Sequence, residues 1–190
     1  MLKILLDMDD VLLDLLPHWV GKLNELAGEK GTDAQVATHD IRCWDISRFF
    51  PTLTKQEIFS AIGDDGFWSR IPPTKNGQWF VKKLQKLGHE VLIVTASGYE
   101  TVPSKMKRFF HLYPTLSWND VVVTSRKQRV LGDVLIDDAV HNLMGGAYEK
   151  ILLSKPHNME FDAALHGIHR IDRLENAFQI LRRVKSRARG

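Results

Sequence analysis

Asp7, Asp9, Asp10 and Asp14 crowd together directly after the apolar run Ile4-Leu5-Leu6. Like charges at close range repel, and carboxylates withdrawn from water are costly. The crowding therefore demands a positive partner or a reaction that uses it. A second acidic pair, Asp137-Asp138, follows the apolar run Val134-Leu135-Ile136. Hydroxyls and cations occupy similar places: Thr95-Ala96-Ser97 after "VLIV", and Ser125-Arg126-Lys127 after "VVVT". Grouped carboxylates are the hard oxygen ligands that magnesium takes, together with waters and phosphate. Asp7 and Asp9, one residue apart, lie on the same side of an extended backbone. Such grouped acids can hold a cation or divide nucleophilic and acid–base work between them.

These residues must be held by strands. "LKILL" (2–6), "HEVLIVT" (89–95), "DVVVT" (120–124), "DVLID" (133–137) and "KILLS" (150–154) are near-continuous runs of Val, Ile and Leu, the pattern of strands covered on both faces. Helical segments alternate with them. "GQWFVKKLQKLG" repeats apolar residues at Trp79, Phe80, Leu84 and Leu87 and stops at Gly88. "PSKMKRFFHL" opens with Pro103, and "DRLENAFQILRRV" carries Asp172 and Glu175 at capping-box spacing. Alternation of this kind predicts an α/β fold: an open, parallel, Rossmann-like sheet with helices on both faces. In such sheets a site forms beyond the carboxyl ends of the strands, where all the groups named above fall.

One interval breaks the rhythm. The first and second strands are separated by far more chain than a crossover needs. A helix from about Val11 to Leu26 starts the interval and the 77–88 helix ends it. Residues 28–72 are therefore expected to form a small, mostly helical cap inserted after the first strand, with core segments 1–27 and 73–190 around it. The cap holds a Thr54/Glu57 capping box and the aromatics Trp44, Phe49, Phe50, Phe59, Phe67 and Trp68.

Composition excludes several classes. The chain has 190 residues, 44% hydrophobic and 26% charged, the balance of an ordinary globular domain. No apolar run approaches a membrane span, and the start lacks a secretory pattern, so a cytoplasmic protein is expected. Cys43 alone excludes an intrachain disulfide framework or a multi-cysteine zinc site. The net charge of +3 is local to Arg182, Arg183, Lys185, Arg187 and Arg189, and without those five the chain is slightly acidic. That tail reads as a solvated helix end whose cations suit the negative pole of the dipole. Nucleic acid and membrane are not expected partners, and a homodimer is left open.

The constellation resembles the haloacid dehalogenase-like phosphatase superfamily. "DMDDV" is similar to its first motif, "IVTAS" to its second and "VLIDDAVHN" to its fourth. The narrower resemblance is to the 5′(3′)-deoxyribonucleotidase family, through "DMDDVLLD", the helical insertion, "GFWSRIPPTKNGQWFVKKL" and "LIDD". Two positions depart from that pattern: Asp10, where glycine is common, and Asn142, where a further Asp is common.

The resemblance implies a magnesium-dependent phosphomonoester hydrolase acting on nucleoside monophosphates. Asp7 would be the nucleophile, forming an aspartyl-phosphate. Asp9 would protonate the leaving oxygen and then deprotonate the attacking water. Mg²⁺ would be held by Asp7, the backbone carbonyl of Asp9, Asp138 and Asp137. Thr95, Ala96 and Ser97 would bind phosphate, as would Lys105 and Lys127, with Lys105 favoured for the third-motif lysine. Trp44, and then Trp68, would contact the base from the cap. The alternatives are a phosphatase for another small phosphomonoester or a nucleic-acid end, or a non-catalytic phosphate-binding relative.

Overall fold

The computed structural model describes residues 1–63 and 65–187. β1 (Lys3–Leu6), β2 (Glu90–Thr95), β3 (Val121–Val123), β4 (Val134–Asp137), β5 (Glu149–Leu153) and β6 (His169–Ile171) form one sheet in the order β3-β2-β1-β4-β5-β6. Every pairing is parallel. β1 lies in the middle, with Leu6 in register with Ile93 on one side and Ile136 on the other. The direction of strand progression reverses between β1 and β4, the kind of point where an open sheet leaves a crevice.

Side chains alternate across the sheet as a strand requires. Ile4 and Leu6 face one layer, and Leu5 faces the other. The first layer is built by Phe80, Val81 and Leu84 of α4 (Gly77–Lys86), Met106 and Phe109 of α5 (Val102–Leu112), and Ile180 and Leu181 of α7 (Ala177–Arg187). The second holds Leu143 of α6 (Val140–Leu143) with Tyr148, Ala163 and Ile168. Burying one such large side chain fully stabilises the fold by about 1.5–3 kcal/mol. No described helix is long and apolar enough to cross a membrane.

Between β1 and α4 lie α1 (Leu15–Glu29), α2 (Lys55–Ser60) and α3 (Asp65–Arg70), with single 3-10 turns at Thr38–Asp40 and Ile46–Phe49. Leu16, Val20, Leu23 and Ala27 of α1 share an apolar cluster with Ile41, Ile46, Phe50, Leu53, Ile58 and Ala61. Phe67, Trp68 and Ile71 instead join the main core. Thus α1 packs with residues 41–61, whereas the stretch from Phe67 to Ile71 packs against the sheet layer. The chain leaves and re-enters the sheet side by side: Asp14 N–H donates to the Pro72 carbonyl (3.0 Å), and Thr74 N–H to the Leu12 carbonyl (2.8 Å).

Several local expectations shift. α1 begins at Leu15 rather than near Val11, because residues 8–13 are consumed by a tight turn. The Thr54/Glu57 capping box forms, with Glu57 N–H on Thr54 Oγ1 and Thr54 N–H on the Glu57 carboxylate. The Asp172/Glu175 box does not. Asp172 accepts instead from Ser154 Oγ (2.8 Å), Glu175 from the Asn76 amide, and a 3-10 turn at Leu174–Asn176 precedes α7. β6, unexpected from the sequence, is a three-residue edge strand with two polar members. In the basic tail, Lys185 and Arg187 occupy the last turn of α7; Arg189 lies outside the described residues.

Candidate active site

The turn after β1 carries the first two acids. Asp7 N–H still donates to the Ile136 carbonyl (2.9 Å), so ladder geometry persists one residue past the strand. The chain then folds back. The Met8 carbonyl accepts from both Leu12 N–H (2.9 Å) and Leu13 N–H (2.8 Å), and Asp10 N–H donates to the Leu13 carbonyl (2.7 Å). Asp10 takes φ of 55°, a left-handed conformation that glycine adopts freely and Asp or Asn tolerate. Its Oδ1 accepts from Leu16 N–H (2.8 Å), satisfying a donor in the first turn of α1. Outside groups clasp the turn: Thr74 Oγ1 donates to the Val11 carbonyl (2.7 Å), and the Tyr113 hydroxyl to the Leu12 carbonyl (2.7 Å).

Two buried lysines meet these acids. Lys127, in the 3-10 turn Lys127–Arg129 after β3, places Nζ 2.6 Å from Asp7 Oδ1 and 2.7 Å from Asp137 Oδ2. Lys105, on α5, places Nζ 2.5 Å from Asp9 Oδ2, 2.9 Å from Thr95 Oγ1 and 3.3 Å from the Ala96 carbonyl, and 5.4 Å from the Trp68 ring centroid. Its ammonium thereby faces three acceptors. So Lys127 attends Asp7, while Lys105, the lysine favoured from sequence for the third motif, attends Asp9. Asp7 Oδ1 also accepts from Met8 N–H (2.7 Å), which leaves Oδ2 as the oxygen of that carboxylate facing outward from these bonds.

The second acidic pair ends β4. Asp137 Oδ1 accepts from Ala139 N–H (2.9 Å) and the Asn142 amide (3.1 Å). Asp138 Oδ2 lies 3.0 Å from His157 Nε2, and its carbonyl accepts from the Asn158 amide (2.8 Å). Asp7, Asp137 and Asp138 each offer an oxygen within 4.8 Å of the others, a spacing that can hold a metal ion. Burial, reinforced by the charge of Asp7, pushes Asp137 and Asp138 up to about 8. Burial, then Asp138, raises Asp10 to about 8. Asp9 is also raised, by burial foremost, against the opposing pull of Lys105. For Lys127, burial favours the neutral form, but Asp7 and Asp137 outweigh it and hold the ammonium above its ordinary value. A divalent cation would reverse the bias on such acids. Asp9 Oδ1 is buried with no hydrogen-bond partner among the described residues. The donor set, hard oxygens with an unsatisfied one beside them, suits a metal and a phosphate.

A cavity of about 650 Å³ opens above this floor, lined by Asp9, Asp138, Lys105, Ala96, Ser97 and aromatic groups from both sides. Asp7, Asp9, Thr95, Lys105, Lys127, Asp137 and Asp138 converge below it, and Ala96 and Ser97 form part of its wall. Trp44 is 58% exposed and stands edge-on to His141 (4.8 Å) and His157 (5.3 Å). Trp68 lines the cavity but is 1% exposed, its N–H committed to the Ile62 carbonyl (2.7 Å). Its ring packs in the core beneath Lys105, and Trp19 and Phe59 line the same cavity.

Sequence reasoning missed His157, Asn158 and Arg170. Asn158 is 3% exposed and fully bonded: its amide donates to the Asp138 and Leu153 carbonyls (2.8 Å each), and its carbonyl accepts from Lys155 N–H (3.1 Å) and Arg170 (2.9 Å). For His157 and Asn158 a signal was available in "KILLSKPHN", since they follow a strand end like the other site residues; nothing comparable marks Arg170.

Over residues 1–188 the chain matches the family described as 5′ nucleotidase, deoxy (pyrimidine), cytosolic type C protein (NT5C). It is 30% identical over 156 residues to a 5′(3′)-deoxyribonucleotidase of Bacillus subtilis, covering 82% of this chain and 86% of that protein. It is 25% identical over 153 residues to one from Clostridium acetobutylicum, covering 80% and 82%. Among solved structures, a haloacid dehalogenase family hydrolase from Deinococcus radiodurans, with bound phosphate and sodium, superimposes with a TM-score of 0.65 at 12% identity, covering 96% of each chain. The strand order, the acids at the strand ends and these matches agree: the chain belongs to the haloacid dehalogenase-like 5′(3′)-deoxyribonucleotidase family, nucleotidases that are phosphoric monoester hydrolases.

Proposed function

We propose that the chain is a magnesium-dependent 5′(3′)-deoxyribonucleotidase working through an aspartyl-phosphate. The observation that carries this reading is the separate pairing of Asp7 with Lys127 and of Asp9 with Lys105, beneath one cavity and beside Asp137 and Asp138. Asp7 Oδ2 attacks phosphorus, and the bond from phosphorus to the ester oxygen breaks. Asp9 gives its proton to the departing nucleoside oxygen. Water then attacks phosphorus, its proton passes to Asp9, and the bond to Asp7 breaks to release phosphate. Lys127, Lys105, Thr95 and the Ala96 and Ser97 amides supply donors for the phosphoryl oxygens. Asp7, Asp138, Asp137 and the Asp9 carbonyl would hold magnesium, which when bound offsets negative charge on the phosphate.

The segment inserted between β1 and α4, expected from sequence at residues 28–72, acts as the cap, carrying Trp44 to the cavity mouth for contact with the base. The experiment is a phosphate-release assay over deoxyribonucleoside and ribonucleoside monophosphates and sugar phosphates, with and without magnesium. Nucleotides should lead, and chelation should remove turnover. Asp7→Asn should lower kcat by about 10⁴-fold or more with the fold retained. A preference for sugar phosphates, or turnover in folded Asp7→Asn, overturns the reading.

A further inference from the structure

The Pro156–Asn158 turn follows β5 and reaches both ends of Asp138. His157 Nε2 lies 3.0 Å from the Asp138 carboxylate and 3.3 Å from its carbonyl. The carbonyl can only accept, so Nε2 carries the proton and donates to it and, when Asp138 is ionised, to the carboxylate. Asn158 holds the same carbonyl and is itself clamped by Arg170, whose guanidinium also donates to the Asn158 carbonyl (2.9 Å) and the Phe161 carbonyl (2.6 Å). The His157 side chain is 5% exposed, and what covers part of it is Trp44, edge-on, with His141 against the same indole. Trp44 belongs to the inserted segment, whereas His157 and His141 belong to the sheet domain. One imidazole thus touches an acidic ligand on one side and the base-side wall on the other.

We propose that His157 is a positioning residue that couples the seating of Trp44 to the placement of Asp138 as a metal ligand. Seated, Trp44 limits the swing of the imidazole, and the imidazole then holds the carboxylate towards Asp7 and Asp137. Closure of the base-side wall and retention of the cation become one event. Asn158, clamped by Arg170, holds the Asp138 carbonyl, so what His157 positions is the Asp138 side chain. The inference rests on the reading of Asp138 as a metal ligand.

The test is direct binding of Mn²⁺, followed by electron paramagnetic resonance and calorimetry without substrate, so that no turnover enters the readout. Outer-shell partners of metal ligands are worth about 10- to 100-fold in affinity. His157→Ala should weaken Mn²⁺ binding on that scale, and His157→Gln, which keeps a donor near the Nε2 position, should restore much of it. Trp44→Ala, at an exposed position, should weaken binding about 2- to 10-fold in the parent chain. In the His157→Ala background the same Trp44→Ala change should have no effect. Thermal unfolding and circular dichroism identify variants that remain folded. If His157→Ala does not fold, the comparison of Trp44→Ala in the parent and in His157→Gln decides. Mn²⁺ binding lost in Asp138→Ala but unchanged in folded His157→Ala overturns the inference and leaves the nucleotidase reading standing. Binding unchanged in Asp138→Ala overturns the metal assignment and the inference with it. Independent, multiplying effects of Trp44 and His157 overturn the coupling.

Discussion

Asp7 Oδ1 and Asp9 Oδ2 each carry a lysine, but the two carboxylates are prepared for different work. Asp7 has one oxygen pinned by Lys127 and Met8 N–H and the other directed away from those bonds. Asp9 keeps a buried oxygen with no hydrogen-bond partner among the described residues, which suits the proton transfer proposed for it. Asp9→Asn should leave the nucleophile and the turn in place and remove only proton transfer. The expected fall is about 10²- to 10⁴-fold in kcat for a nucleotide. With p-nitrophenyl phosphate, whose leaving group needs little protonation, the fall should be at least about tenfold smaller. Equal losses for the two substrates rule the acid role out. The acids were legible from sequence because apolar runs mark strand ends, and strand ends share one edge. The division of labour between Lys105 and Lys127 was not. It depends on the rotation of α5 and of a single 3-10 turn, which no periodicity in "PSKMKRFFHL" or "SRKQR" encodes.

At the element scale, the turn after β1 is only as rigid as its clasp. Gly77 opens α4, and a Cβ there would stand 2.6 Å from the Tyr113 hydroxyl and 2.7 Å from Thr74 Oγ1, the two groups that hold the turn's carbonyls. Gly77→Ala should cost about 1–3 kcal/mol in denaturant unfolding and lower kcat by loosening the turn that carries Asp9. Adding Tyr113→Phe should cost less than the separate effects combined, since the clash is partly removed. A Gly77→Ala variant with parental stability and turnover refutes the clasp. In α2, Glu57 is held at about 2 by Lys30, then by Thr54 N–H and Oγ1. A depressed acid stabilises above its ordinary value near 4.5 and loses that contribution as pH falls towards 2. Carbon-detected NMR of the Glu57 carboxyl should show a midpoint near 2, moved upward most by Lys30→Gln. A parental midpoint near 4.5 contradicts the capping geometry. The Thr54/Glu57 box could be read in advance because it is local; β6 and the Asn158–Arg170 clamp could not, because they join residues whose fit depends on tertiary contacts.

On the scale of the whole molecule, the proposed function gives the phosphate chemistry to the sheet edge and the choice of substrate to the inserted segment. Stacking on an aromatic is worth roughly 1–3 kcal/mol per base. At saturating magnesium, Trp44→Ala should lower kcat/KM for a nucleotide by about 5- to 150-fold and barely change that for a small ester without a base. Equal losses would make Trp44 a packing residue alone. The central place of β1 also sets a timetable. The strand that leads to Asp7 is synthesised before its two neighbours, β2 and β4, which begin only at Glu90 and Val134. At about 5–20 residues per second, the second neighbour leaves the ribosome on the order of ten seconds after the first strand. For nearly all of that interval Asp7, Asp9 and Asp10 have no Lys127, and for most of it no Lys105. The nascent chain therefore carries these acids as solvated, mutually repelling charges beside β1, a charge pattern that works against mispairing of an unpaired apolar strand until the right partners emerge.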